Sequence, residues 1–152
     1  MATDFSSVSD PNGDGDTFTV EASSDSLGGE TLIVPAGNRA DASDQDAIVT
    51  YSLDFSEAGT YTAYYRARGF DGGTNSIYVP TDFGANPSAN ESLSNDGNYR
   101  WETGGTFEVT SDDIGNSLEF SIGKRERGAD FNAFVFHLDG NLSEAELDAL
   151  FN

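Results

Sequence analysis

Apolar residues in this chain recur at every second position over short stretches and rarely at the three-to-four spacing of a helix. "TFTVEA" alternates from Thr17 with Phe18 and Val20 on one face, and "TLIV" follows a Gly-Gly turn. "AIVTYSLDF" (47–55) and "GTYTAYYRARG" (59–69) are rich in β-branched and aromatic residues, and the "SEAG" between them reads as a hairpin turn. "NSIYVP" (75–80), "TFEVT" (106–110), "SLEFSIGKRE" (117–126) and "DFNAFVFHL" (130–138) complete about eight predicted strands. Strands so spaced, with turns between them, predict an all-β sandwich or jelly roll.

Three stretches fall outside that pattern. Residues 1–16 are polar and Gly/Asp-rich without periodicity, which predicts a leader or linker and places the domain at 17–152. Residues 81–105 read as a long connection with little periodicity, the kind of segment that often carries function. At the end, "NLSEAELDALF" predicts a short helix, with Ser143 and Glu146 as a capping box and Leu142, Leu147 and Leu150 as its apolar face.

Length and composition narrow the class. A chain of 152 residues is one ordinary domain. Its 11 Phe, 6 Tyr and 1 Trp must supply much of the core. The 27 Asp and Glu against 7 Lys and Arg leave a net charge of -20, a surface that repels nucleic acid and anionic membranes and excludes both as partners. Without cysteine there is neither a disulfide framework nor a thiol nucleophile. The start "MATDFSSVSD" has no basic and apolar signal regions, and no run approaches a membrane span, so a soluble chain is expected.

"DPNGDGDTFTVE" (10–21) matches the spacing of a calcium-binding EF-hand loop, with Asp10, Asn12, Asp14 and Glu21 at ligand positions and Gly15 at the sharp turn. Helices should flank such a loop, yet here a polar stretch precedes it and a strand-like one follows. The alternatives are an EF-hand, a non-helical calcium loop, and an acidic linker running into the first strand; context favours the linker.

No catalytic grouping stands out. His137 alternates opposite the Phe residues of its strand, as a surface or edge histidine would, and there is neither a Ser/His/Asp grouping nor a phosphate-binding Gly-rich loop. The candidates are binding residues. Tyr99, Arg100 and Trp101 lie in "NYRWETGG", equipment for stacking on a sugar ring and bonding its hydroxyls, or else a core or sandwich-edge group. Arg66, Arg68 and the basic residues of "GKRERGAD" either pair with nearby acids or recognise hydroxyls and acidic groups.

In their order, "FTVEAS", "FSEAGTYTAYYRARG", "GGTNSIYV", a loop Trp and "LEFSIGKRERGADFNAFVF" resemble the β-sandwich carbohydrate-binding modules of families 6 and 35, over about residues 17–138. The resemblance implies a non-catalytic, galactose-binding-like jelly roll that attaches to a polysaccharide as one module of a larger secreted glycan-degrading chain. It implies Trp101 as the aromatic platform and Asp130 where the family places a ligand-binding Asn; beside them Tyr99, Arg100, Arg68 and Arg127 are the expected polar or stacking neighbours, on their residue types. The Arg-rich loops hint at an acidic or sulfated glycan, bound by a monomer.

The same resemblance implies a structural Ca2+ held by acids of the first and last strands. Here those positions are Glu21 and Asn132, and the second acid of the first strand is Ser23. The alternative is an acidic, calcium-stabilised structural or surface-attachment domain without glycan specificity.

Overall fold

The computed structural model describes residues 1–35, 47–138 and 140–151. Among the described residues ten strands run in the order β1 (Ser7–Ser9), β2 (Thr19–Ala22), β3 (Glu30–Ile33), β4 (Ile48–Asp54), β5 (Gly59–Arg68), β6 (Ser76–Val79), β7 (Ala89–Ser92), β8 (Arg100–Val109), β9 (Ser117–Lys124) and β10 (Asp130–Leu138), with a 3-10 turn at Leu27–Gly29 and one α-helix, α1 (Glu144–Ala149), at the end. They form two five-stranded sheets, β1-β4-β9-β6-β7 and β2-β3-β10-β5-β8, with antiparallel pairing. The predicted sandwich is therefore present.

Alternation decides which side chains meet between the sheets. On β5, Ala63, Tyr65 and Ala67 enter the core, while Tyr64, Arg66 and Arg68 stand on the opposite, outer face. Tyr51, Phe107, Phe120, Phe134 and Phe136 mesh edge-on between the layers, so aromatic rings fill the sandwich as the composition requires.

Residues 1–16 are not a free leader. Ala2 is fully buried, Phe5 and Val8 pack on the core, and β1 pairs with β4. The Tyr51 hydroxyl donates to the Ala2 carbonyl at 2.7 Å, and Asp16 pairs with the buried Lys124. Short polar stretches hide such a role because one small side chain and a few main-chain bonds suffice to dock them. Within this segment both Asp10 carboxylate oxygens accept main-chain bonds, from Gly13 N–H at 2.8 Å and Gly15 N–H at 2.7 Å, which closes a turn. Glu21 belongs to β2, as expected.

Residues 81–105 are not one loop either. They contain β7 and the first half of β8, which pairs Trp101 with Arg66 and Glu102 with Tyr65. "TGG" reads as a turn in the sequence, yet Gly104 lies within β8, where glycine is required because a Cβ would stand 2.3 Å from the Tyr65 ring. A register shift between Thr62 and Tyr64 absorbs the extra residue on β8.

β7 and β8 are edge strands of opposite sheets. Glu91, level with core Ile77, and Glu102, level with core Tyr65, therefore both point into the gap between the sheets. Burial, reinforced by the Glu102 charge, pushes the Glu91 carboxyl up to about 7.

Candidate functional site

The outer face of the β2-β3-β10-β5-β8 sheet gathers several of the sequence candidates. Asp130 pairs across the ladder with Arg68, and the Arg68 Nε donates to Asp130 Oδ2 at 2.7 Å. The Arg68 Nη1 reaches Asp25 Oδ2 at 2.6 Å, and the Tyr99 hydroxyl lies 3.4 Å from Asp130 Oδ2. Burial pushes the Asp130 carboxyl up even with Arg68 beside it. In Arg68 the burial cost is outweighed by its two carboxylates, which hold the guanidinium above its usual range.

Cations and rings alternate along this face. The Arg68 guanidinium carbon is 5.2 Å from the Phe70 ring centroid and 4.2 Å from that of Tyr99, and the Arg66 carbon is 4.8 Å from Tyr99 on its own account. The resulting ladder is Phe70, Arg68, Tyr99, Arg66. At its outer end Phe70 is 51% exposed, a large apolar ring left in water.

The loops carrying that ring are tied down. The N–H groups of Phe70 and Asp71 both donate to Thr74 Oγ1, at 2.8 and 2.9 Å, and Gly73 N–H donates to Asp71 Oδ1 at 2.8 Å. Gly69 bonds Ser94 at 2.7 Å and Gly97 at 3.0 Å through the main chain, joining the 69–75 loop to the 93–98 loop. Only glycine fits at 69, because a Cβ would lie 2.4 Å from the Thr74 carbonyl oxygen. The platform is thus preorganised rather than assembled on contact.

Trp101 has a different setting from the one its sequence context suggests. It lies on β8 rather than on a loop, it is 9% exposed, and α1 covers it. Its indole Nε1–H donates to Asp148 Oδ1 at 2.8 Å, and its ring stacks on Phe151 at 5.9 Å. Leu147 is buried in the same small cluster with Tyr64 and Ala133. The Ser143–Glu146 capping box is present as predicted, and Leu142 N–H donates to the Tyr64 hydroxyl at 3.1 Å, so the helix that carries this cover is fixed at its start. An indole so covered is not a platform open to a ligand.

The two remaining candidates lie apart from the ladder. Arg100, level with core Ala67, pairs with Asp96 at 2.6 Å, and that bond first, with the Asn98 bonds, holds the exposed Asp96 carboxyl at about 2. Arg127 is exposed between β9 and β10 and makes no ion pair among the described residues. Three residues of the cluster escaped the sequence reading: Phe70, Asp25 and Asp148. For Phe70 a signal existed, an aromatic inside "GFDGG" with no strand alternation to bury it.

The residues do not fit the implied calcium. Asn132 is fully buried, and its side-chain oxygen already accepts from Leu27 N–H at 3.0 Å and Arg66 Nη1 at 2.8 Å. A hard cation needs oxygens with free lone pairs, and this neutral carboxamide offers none: its oxygen is fully used and its Nδ2 donates to the neighbouring Leu27 and Glu30 carbonyls. Glu21 is on the exposed edge strand β2, and no group of three His, Cys, Asp or Glu side chains is placed to hold a metal among the described residues.

The backbone is similar to solved carbohydrate-binding modules. The C-terminal family 6 module of a marine laminarinase from Zobellia galactanivorans matches with a TM-score of 0.57 at 20% identity, over 88% of this chain and 92% of that one. A family 6 module of Cellvibrio mixtus lichenase 5A, solved with cellotriose, matches at 0.59 and 20% identity, over 90% and 92%. The family 35 module from Clostridium thermocellum gives 0.56 at 10% identity, over 86% and 97%. No family model and no curated protein matches the sequence. The chain has the β-sandwich fold of the family 6 and 35 carbohydrate-binding modules.

Proposed function

We propose that this protein is a non-catalytic module that binds a polysaccharide at the loop end of the sandwich, with Phe70 as the stacking platform. The observation that carries the reading is the exposed Phe70 ring, held on hydrogen-bonded loops above Arg68. An apolar ring face meets the C–H face of a sugar, while Asp25, Asp96 and Asn98 offer polar groups at the rim for its hydroxyls. The modules of the same fold from a laminarinase and a lichenase support a setting within a longer, extracellular glycan-degrading chain.

The non-catalytic reading is supported by the position of His137, which pairs with Thr62 while Asp130 pairs with Arg68. At the rise of a strand this puts the histidine roughly 20 Å from the cluster. An acidic or sulfated ligand would engage Arg127 or displace the carboxylates that hold Arg68 and Arg100.

Calorimetry and affinity electrophoresis against neutral, uronic and sulfated polysaccharides test the proposal. Saturable binding that is lost in Phe70→Ala, with the fold intact, is expected. Absence of binding to every glycan would overturn it and leave the structural, surface-attachment alternative. Release of reducing sugar by the protein alone would overturn the non-catalytic part.

A further inference from the structure

The side chain of Asn132 makes four hydrogen bonds. Its Nδ2 donates to the carbonyls of Leu27 at 3.0 Å and Glu30 at 2.9 Å, and its Oδ1 accepts from Leu27 N–H at 3.0 Å and Arg66 Nη1 at 2.8 Å. That is the full capacity of a carboxamide, two donors and two acceptors. The backbone joins in, since the Asn132 carbonyl accepts from Ala2 N–H at 2.9 Å. The register shift between Phe131 and Ala133 breaks the alternation of β10 at this residue. Swapping the amide would set its oxygen against two carbonyls, so the network fixes its orientation.

Two backbone carbonyls converging on one point form half of a site for a hard cation, whose attraction would draw them together. Here an N–H2 group stands at that point, and the positive charge of Arg66 lies across the carboxamide, hydrogen-bonded to its oxygen. We infer that the Asn132 carboxamide, braced by the Arg66 guanidinium, takes the place of a bound cation in joining the 27–30 turn to the last strand. This end of the sandwich is closed without a metal. Arg66 also lies over Tyr99 and 3.6 Å from Asp148, so the lock is continuous with the ladder that supports the candidate platform. The ladder then keeps its arrangement in the presence of a chelator.

The substitution Asn132→Asp tests the inference by exchanging one donor for an acceptor. A carboxylate oxygen would face the Leu27 and Glu30 carbonyls, and three oxygens around one point need a cation. Thermal melts are compared in EDTA, in millimolar Ca2+, and in Mg2+ as the control for general screening of so acidic a surface. The wild type is expected to melt at one temperature in EDTA and, after the Mg2+ correction, in Ca2+. Asn132→Asp is expected to melt on the order of 5–10 °C lower in EDTA, and to recover at least half of that loss with Ca2+ but not Mg2+.

A wild type that loses stability in EDTA overturns the inference, and so does an Asn132→Asp variant indifferent to Ca2+. If the variant does not fold in EDTA, refolding with Ca2+ replaces the melt as the readout: recovery supports the exchange of amide for cation, and no recovery overturns it.

Discussion

Two aromatic residues near one end of the same sheet, Trp101 and Phe70, have opposite circumstances. Trp101 is on a strand, beneath a helix, with its only polar atom bonded to Asp148. Phe70 is on a short glycine-rich loop, half in water, with a guanidinium at its back. The rarer and larger residue drew attention in the sequence, yet what makes a platform is a face left open on rigid support. The helix covers one ring, and no described element covers the other.

The largest effect expected from breaking this contrast is on stability. Trp101→Ala removes the centre of the small cluster under α1 and should cost about 3–5 kcal/mol in urea unfolding, with glycan affinity per folded molecule retained. Loss of affinity at unchanged stability would reverse the roles of the two rings. Phe70→Ala should do the opposite. Glycan affinity falls at least about tenfold, roughly 1.4 kcal/mol, while the melting temperature moves by no more than about 1 °C, as surface substitutions usually do.

Asp148→Ala probes the cover itself. It takes the acceptor from the indole N–H and the carboxylate from beside Arg66, and should cost about 1–2 kcal/mol. The emission of the single Trp should shift to the red as water reaches the ring; an unchanged spectrum would mean that Asp148 does not hold the cover closed.

A pH series separates both regions from the rest of the fold with a smaller effect. Glu91 carries a carboxyl held at about 7 in the folded chain against 4.5 ordinarily, chiefly by burial. Its stabilising contribution is complete below 4.5 and is lost progressively as the pH rises from there through 7, because over that range the folded state holds a proton that the unfolded chain has released. Melting temperature should therefore decline modestly from pH 5 to 8, and Glu91→Gln should flatten that decline. The Asp96–Arg100 pair has the other sign. With its carboxyl at about 2, its contribution persists until the pH falls from 3.8 towards that value, so the loop that backs Phe70 keeps this support across the whole neutral range.

Much of the sandwich was legible because its strands carry their own pattern. Alternation in "AIVTYSLDF", "GTYTAYYRAR" and "DFNAFVFHL" corresponds to β4, β5 and β10, and "SEAE" marks the start of α1. The stretches that escaped lack an apolar period of their own. β1 is three residues of "SVS", β7 is "ANES", and the early part of β8 reads as a turn because Gly104 makes room for the Tyr65 ring rather than bending the chain.

The site divides in the same way. Arg68, Tyr99 and Asp130 were named from the sequence and do meet, since strand pairing brings Asp130 beside Arg68. Arg100 points the other way by a single step of alternation, and Arg127 stands off in a connection.

Taken alone, the sequence determined the class of fold, the aromatic core, the acidic surface and the capped final helix, because period, composition and capping are local properties. Only the tertiary structure decided which aromatic is covered and which carbonyls Asn132 bridges. Those outcomes depend on residues distant in the chain: Asp148 and Phe151 come to rest on Trp101, and Leu27, Glu30 and Arg66 converge on Asn132. No spacing rule encodes such meetings, which follow from the order in which two sheets stack and from the side of β8 on which a short helix lands.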